Sequence, residues 1–274
     1  MRIIATITMI MATTAIMAQS YQELFSQGTQ HLQKNEYSEA ASYFIRAIAQ
    51  EPSNKLNEYA YSNLAFAQWT MGKADEAIVS YSKALEINPQ STQLILQRAR
   101  IYLEQSDLDN ALADYDKVIE AEPRNSHALF MRAYIQGQKK EYTKAYADYN
   151  ALLAIEPDNN DARLSLALLY HRAGRLNEAL MLLGLLIDGY PQNSEFYYAR
   201  SNVQREEGLT ALAIMDIEKA IQHNPDNAEY HITHAQLLLE QENGRAARTA
   251  LDKAVALGYE RASLAHLYKK CNEK

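Results

Sequence analysis

His231 and His234 stand three residues apart, a spacing that brings two imidazoles to one face of a helix, where such a pair can share a metal ion or relay a proton. Nothing else in the sequence comes closer to metal or acid–base spacing. The residues around them complete no metal motif, and the chain has neither a nucleophile motif nor a Gly-rich phosphate loop. The single cysteine, Cys271, has no partner for an intramolecular disulfide and no ligand company for zinc. We therefore assign no catalytic residue, no metal site and no cofactor, and expect both histidines to be structural, with satisfied ring nitrogens. The 19 tyrosines read as packing residues.

A second charged pattern is periodic. Arg98, Arg132 and Arg200 fall on one register, the last two separated by twice the interval between the first two, and each is followed after sixteen residues by an aspartate: Asp114, Asp148 and Asp216. Equivalent positions without the arginine hold Gln27 with Tyr43, Leu64 with Ser80, Leu166 with Leu182, and His234 with Ala250. Arginine occurs only with aspartate. The pattern predicts structural ion pairs in which a planar guanidinium grips a carboxylate through two hydrogen bonds.

The elements that must position these residues follow from the prolines. Pro52, Pro89, Pro123, Pro157, Pro191 and Pro225 are the only six. From Pro89 onward they keep one constant interval, and the first interval, from Pro52 to Pro89, is three residues longer. Twelve residues before each stands an alanine: Ala40, Ala77, Ala111, Ala145, Ala179 and Ala213, with Ala247 continuing the series. Eight residues before each stands a large side chain, Phe44, Tyr81, Tyr115, Tyr149, Leu183 or Ile217. Twenty-four before stands a small one, Gly28, Ala65, Ala99, Ala133, Ala167 or Ser201. Proline lacks an amide hydrogen and restricts the residue before it, so one helix ends there and the next begins. Gly72, Gly174 and Gly208 mark the turn inside each unit, with Asn35 and Ser106 in the same place elsewhere.

This alternation of small and large residues at helical offsets resembles the tetratricopeptide repeat, a pair of antiparallel helices that recurs along the chain at this interval. The resemblance covers residues 21–261 and implies an all-α chain, a right-handed α–α superhelix or solenoid. The units are 21–54, 58–91, 92–125, 126–159, 160–193, 194–227 and 228–261. The last has Tyr259 where proline is expected, and residues 261–270 form an amphipathic pattern expected to cap the stack. Lys55, Leu56 and Asn57 lengthen the first junction.

Members of this family receive an extended peptide or a partner helix in a concave groove lined by the first, or A, helices. By register, that groove here includes Phe25, Phe66, Trp69, Arg100, Phe130, Tyr134, His171, Arg172, Asn202 and Arg205. Phe66, Trp69, Phe130 and Tyr134 would make an apolar end suited to apolar or proline-containing segments. Arg100, His171, Arg172 and Arg205, interleaved with Glu104, Asp161 and Glu206, would make a polar end. The competing reading is that the aromatics pack between neighbouring A helices and the charges are solvated surface. The basic clamp with which some members hold a chaperone's C-terminal carboxylate would fall on Phe25, Thr29, Asn63, Gln93 and Gln97, so it is missing apart from one asparagine.

Composition narrows the function further. With 274 residues, 47% apolar, 9 Gly and 6 Pro, the chain has core enough for a helical fold and too little punctuation for an all-β one. A net charge of −7 argues against a broad nucleic-acid surface, because phosphate binding runs on Lys and Arg. Met1–Arg2 precedes an uncharged stretch that ends in a small residue at Ala18, the pattern of a secretory signal peptide over 1–18. Cleavage would leave an exported, periplasmic or secreted chain (19–274) without stable membrane insertion. The expectation is a non-enzymatic scaffold that binds a protein or peptide partner; the alternative is an accessory or regulatory subunit of a cell-envelope enzyme or secretion complex.

Overall fold

The computed structural model describes residues 19–272, so the export signal expected over 1–18 lies outside the described residues. Among these, fifteen α-helices and one 3-10 turn account for all the regular structure. They form seven antiparallel hairpins: α1 (Tyr21–Gln33) with α2 (Tyr37–Gln50), α3 (Asn57–Thr70) with α4 (Ala74–Ile87), α5 (Thr92–Glu104) with α6 (Leu108–Ala121), α7 (Ser126–Gln138) with α8 (Tyr142–Ile155), α9 (Asn160–Arg172) with α10 (Leu176–Gly189), α11 (Ser194–Glu206) with α12 (Thr210–His223), and α13 (Ala228–Glu240) with α14 (Gly244–Ala256). The chain divides into two compact units, one up to Ala128 and one from Leu129 onward.

Local chemistry sets the helix ends. Ser20 and Glu23 form a capping box at α1, each side chain accepting from the other residue's amide. A-helix starts are capped again by Ser91, Asn125, Asn159, Asn193 and Asn227, a column that recurs once per repeat and whose side-chain oxygens accept amides of the first turn. Each B helix of the first six hairpins stops two residues before its proline. The residue between them, such as Glu51, Glu122 or Asn224, leaves the helical region with φ of −135°, −131° and −141°. The seventh hairpin lacks the proline and ends differently: Gly258 turns left-handed at φ 97°, and the Tyr259 amide donates back to the Ala254 carbonyl at 3.1 Å.

The turn inside each hairpin needs one residue with positive φ. Gly72, Gly174 and Gly208 supply it, and so do Asn35 and Ser106, but Lys140 (φ 60°) and Glu242 (φ 59°) take it too. Neither of these has a side chain suited to the left-handed region, so the backbone is strained at both.

Packing follows the small and large columns. Ala40, Ala77, Ala111, Ala145, Ala179, Ala213 and Ala247 are all completely buried, which lets the two helices of each hairpin approach closely. The large column fills the space beside them, with Phe44, Tyr115, Leu183 and Ile217 also fully buried. Burial pushes the phenols of Tyr81, Tyr115 and Tyr149 up to about 12. Gly28 belongs to the same logic, because a Cβ there would sit 2.8 Å from the Phe44 ring. In the first junction Asn57 is fully buried, and its amide donates to the carbonyls of Glu51 and Pro52, so the three-residue lengthening is tied down by one side chain. After α14 the expected ten-residue capping helix proves to be a 3-10 turn, Arg261–Leu264, followed by α15 (Ala265–Lys270), with Leu264 and Leu267 closing the last core cluster.

Candidate functional site

Successive A helices touch in both units, α1 with α3 and α9 with α11, and this contact brings residues about one repeat apart within hydrogen-bonding reach. In the first unit the Trp69 indole N–H on α3 donates to Glu104 on α5 at 2.7 Å. The Arg100 guanidinium lies over the same indole, 4.5 Å from its centroid, and its Nε donates to Glu104 at 3.1 Å. Phe66 is 40% exposed and stands beside Trp69 with ring centroids 6.2 Å apart. The expected division into an apolar end and a polar end does not hold here. A cation assigned to the polar set caps an aromatic assigned to the apolar set, because the two sit on neighbouring helices.

Two other expected groove residues are half-buried and pack against large aromatics of the B helices. Phe25 is half-buried and packs edge-on against Phe44 at 5.6 Å, and Phe130 does the same against Tyr149 at 5.6 Å. Tyr134 remains 42% exposed and shares a small cleft with Arg172, Ser165 and Leu168.

The second unit holds a pocket of about 780 Å³ along α9, α11 and α13. Its apolar lining comes from Leu164, Leu168, Tyr198 and Ala199. Asn202 also lines it, and among the described residues no hydrogen bond engages its amide. Two rungs border the space: His171 Nε2 lies 2.6 Å from a Glu206 carboxylate oxygen, and Arg205 donates to Glu240 at 2.6 Å and to Gln236 at 2.7 Å. A further space of about 450 Å³ shares Arg205 and Glu240 and runs on to His266 and Lys270. Of the expected groove set, then, His171, Asn202 and Arg205 converge on one pocket, while Arg172 lies outside it. Leu164, Tyr198, Glu195 and Glu240 were not foreseen. The repeat register would have found them, since Leu164 and Tyr198 occupy one column and Glu206 and Glu240 another.

The arginine and aspartate columns meet inside their hairpins. Arg98 donates to both oxygens of Asp114 at 2.8 Å, Arg132 to both of Asp148 at 2.7 Å, and Arg200 to Asp216 at 2.7 and 2.8 Å. The hydrogen bond to the aspartate raises the Arg98 and Arg200 pKa values further. In the seventh hairpin the corresponding residues are His234 and Ala250, and the expectation of a satisfied histidine fails. Among the described residues His234 Nε2 is buried without a hydrogen-bond partner, 3.7 Å from the nearest Glu218 oxygen, because Ala250 offers no acceptor. His231 is satisfied, its Nε2 lying 2.8 Å from the Pro225 carbonyl.

Among the described residues no group of three or more His, Cys, Asp or Glu side chains is placed to hold a metal ion, and no helix is long and apolar enough to cross a membrane. A pocket of this size with an apolar lining and a few polar groups suits binding.

Comparison with known proteins agrees with this architecture. Sequence patterns of the tetratricopeptide repeat match residues 58–91, 96–160 and 138–203, together more than half of the chain. A tetratricopeptide repeat protein from Parabacteroides merdae is 28% identical, with a TM-score of 0.71 over 92% of this chain and 99% of its own. The C-terminal part of a repeat-containing protein from Cytophaga hutchinsonii shares the fold at 16% identity and a TM-score of 0.69, covering 87% of this chain and 98% of its own. YrrB, described as a tetratricopeptide protein with an unusual peptide-binding site, shares it at 21% identity and a TM-score of 0.51, over 69% of this chain and 97% of its own. With its hairpins, its buried small-residue columns and these matches taken together, the chain belongs to the tetratricopeptide repeat family.

Proposed function

We propose that this protein is an exported, non-catalytic scaffold that holds an extended segment of a partner protein along the A helices of its fifth to seventh hairpins. The observation that carries the reading is the pocket of about 780 Å³, where the free amide of Asn202 stands beside Leu168 and Tyr198. An extended backbone offers unpaired N–H and C=O groups, which an uncommitted amide can satisfy from either end. Its apolar side chains lose water against the leucines. That YrrB carries a peptide-binding site on the same fold favours the reading.

Affinity purification from the envelope fraction of producing cells tests it, using the full chain and its Asn202→Ala and Leu168→Ser variants. Partners retained by the parent and lost by both folded variants support the groove; an unchanged partner set rejects it. Export is tested separately by N-terminal sequencing of the purified native protein, which should begin just after Ala18 in the envelope or the medium. A chain that keeps Met1 and stays in the cytoplasm overturns that part.

A further inference from the structure

We infer that the segment held in this groove carries a lysine or arginine side chain next to an apolar one; this rests on the groove reading above. The pocket brings three carboxylates, Glu195, Glu206 and Glu240, together with one guanidinium, Arg205, a formal balance of −2 when His171 is neutral. Arg205 is already committed to Glu240 and Gln236, so it does not offset the other two acids. Among the described residues Glu206 has only the His171 imidazole, and the Glu195 carboxylate has no side-chain partner. Glu195 in the first turn of α11 therefore stands at the space as an unpaired carboxylate, and Glu206 in its last turn is met only by the His171 imidazole.

The sequence column continues this bias along the groove. Asp161 and Glu229 occupy on α9 and α13 the place that Glu195 holds on α11, one repeat before it and one repeat after. Acids in the first helical turn also complement the helix dipole, which explains their tolerance there. The dipole does not explain Glu206 and Glu240, which end their helices where a negative charge is unfavourable. Those two stand at the groove edge against the preference of their own helices.

The apolar lining selects among cations. A lysine or arginine can lay its methylene stem on Leu164, Leu168 and Tyr198 while its charged head reaches the carboxylates at the rim. An acidic segment would meet like charge, and a neutral apolar one would leave Glu195 to lose water without a partner and Glu206 with the His171 imidazole alone.

Fluorescence anisotropy on the intact protein tests the inference with three labelled peptides in which leucine alternates with lysine, glutamine or glutamate. The lysine peptide should bind tightest and the glutamate peptide weakest. Glu195→Gln and Glu206→Gln should each weaken the lysine peptide about threefold to fivefold, the range of one partly exposed ion pair, and leave the glutamine peptide unchanged. Glu39→Gln removes the same charge from α2 in the first unit and should change nothing. Leu168→Ser should weaken the lysine and glutamine peptides alike. Equal binding of all three peptides, or equal losses in the Glu39 and Glu195 variants, overturns the basic-segment inference while leaving the groove reading intact if Leu168→Ser still weakens binding. Insensitivity of every peptide to Leu168→Ser overturns both.

Discussion

Arg132 and Asp148 meet across the two helices of a single hairpin, Nε to Oδ2 and Nη2 to Oδ1, each at 2.7 Å. Their side chains are 21% and 8% exposed, so neither charge is well solvated without the other. Arg132→Ala should cost about 3 kcal/mol in urea denaturation by stranding the aspartate. The Arg132→Ala, Asp148→Ala double variant should lose clearly less than the two single losses combined. Additive losses would mean the pair is not coupled.

The seventh hairpin gives the reciprocal experiment. His234→Arg with Ala250→Asp restores the residue types found in the other three pairs, and the double variant should melt higher than either single one. A double variant no more stable than the better single would show that the pair cannot form there.

Stability should also respond to pH through the imidazoles of His234, which is half-buried, and His127, which is partly desolvated although its residue is exposed. Burial lowers the pKa of His234 below the ordinary 6.5, with His231 adding to the effect and Glu218 opposing it; burial and Arg100 lower that of His127. A histidine whose folded pKa is depressed binds its proton more readily when unfolded. Its neutral form thus supports the fold fully above about pH 6.5, and stability falls as the pH drops from there towards the folded pKa. Melting temperature should decline between about pH 7 and 5.5, and the decline should shrink in His234→Leu with His127→Phe. An unchanged slope would place the proton uptake elsewhere.

Backbone strain at the hairpin turns is open to relief. Lys140→Gly and Glu242→Gly should each raise stability by about 1 kcal/mol, since glycine enters the left-handed region without a Cβ clash. Gly28→Ala should do the opposite by about 1–3 kcal/mol, because its Cβ would press on the buried Phe44 ring. Calorimetric melting of the three variants decides both.

Trp69 is the chain's one tryptophan, so its emission reports directly on the cluster with Arg100 and Glu104. Arg100→Ala should uncover the indole face, shifting the emission to longer wavelength and increasing acrylamide quenching. No change in either would mean that the guanidinium does not cover the ring in solution.

The hairpin fold was legible in the amino-acid sequence because its causes are local and repeated. A proline that ends a helix, an alanine that permits close approach and an aromatic that fills the remaining space act within one unit. Seven copies turn that logic into columns. The partnership of Arg98 with Asp114 belongs to this class, since both members lie in one hairpin and recur together. Lys140 and Glu242 were less legible, as their turn conformation is imposed by the helices on either side against the preference of the residues themselves.

The groove depended on tertiary structure. Trp69 reaches Glu104, His171 reaches Glu206 and Arg205 reaches Glu240 across neighbouring hairpins; the three glutamates share one column, but their partners share no residue type, because a tryptophan, a histidine and an arginine fill the same role. Phe25 and Phe130 share the register of Tyr198, which lines the pocket, yet their half-buried rings pack edge-on against the large aromatics Phe44 and Tyr149. Sequence alone determined the hairpin and its count, because burying small and large residues leaves the backbone one way to close. Only the folded chain decided which A-helix side chains line the pocket, because that choice rests on the rotamers and neighbours each side chain meets across the next repeat.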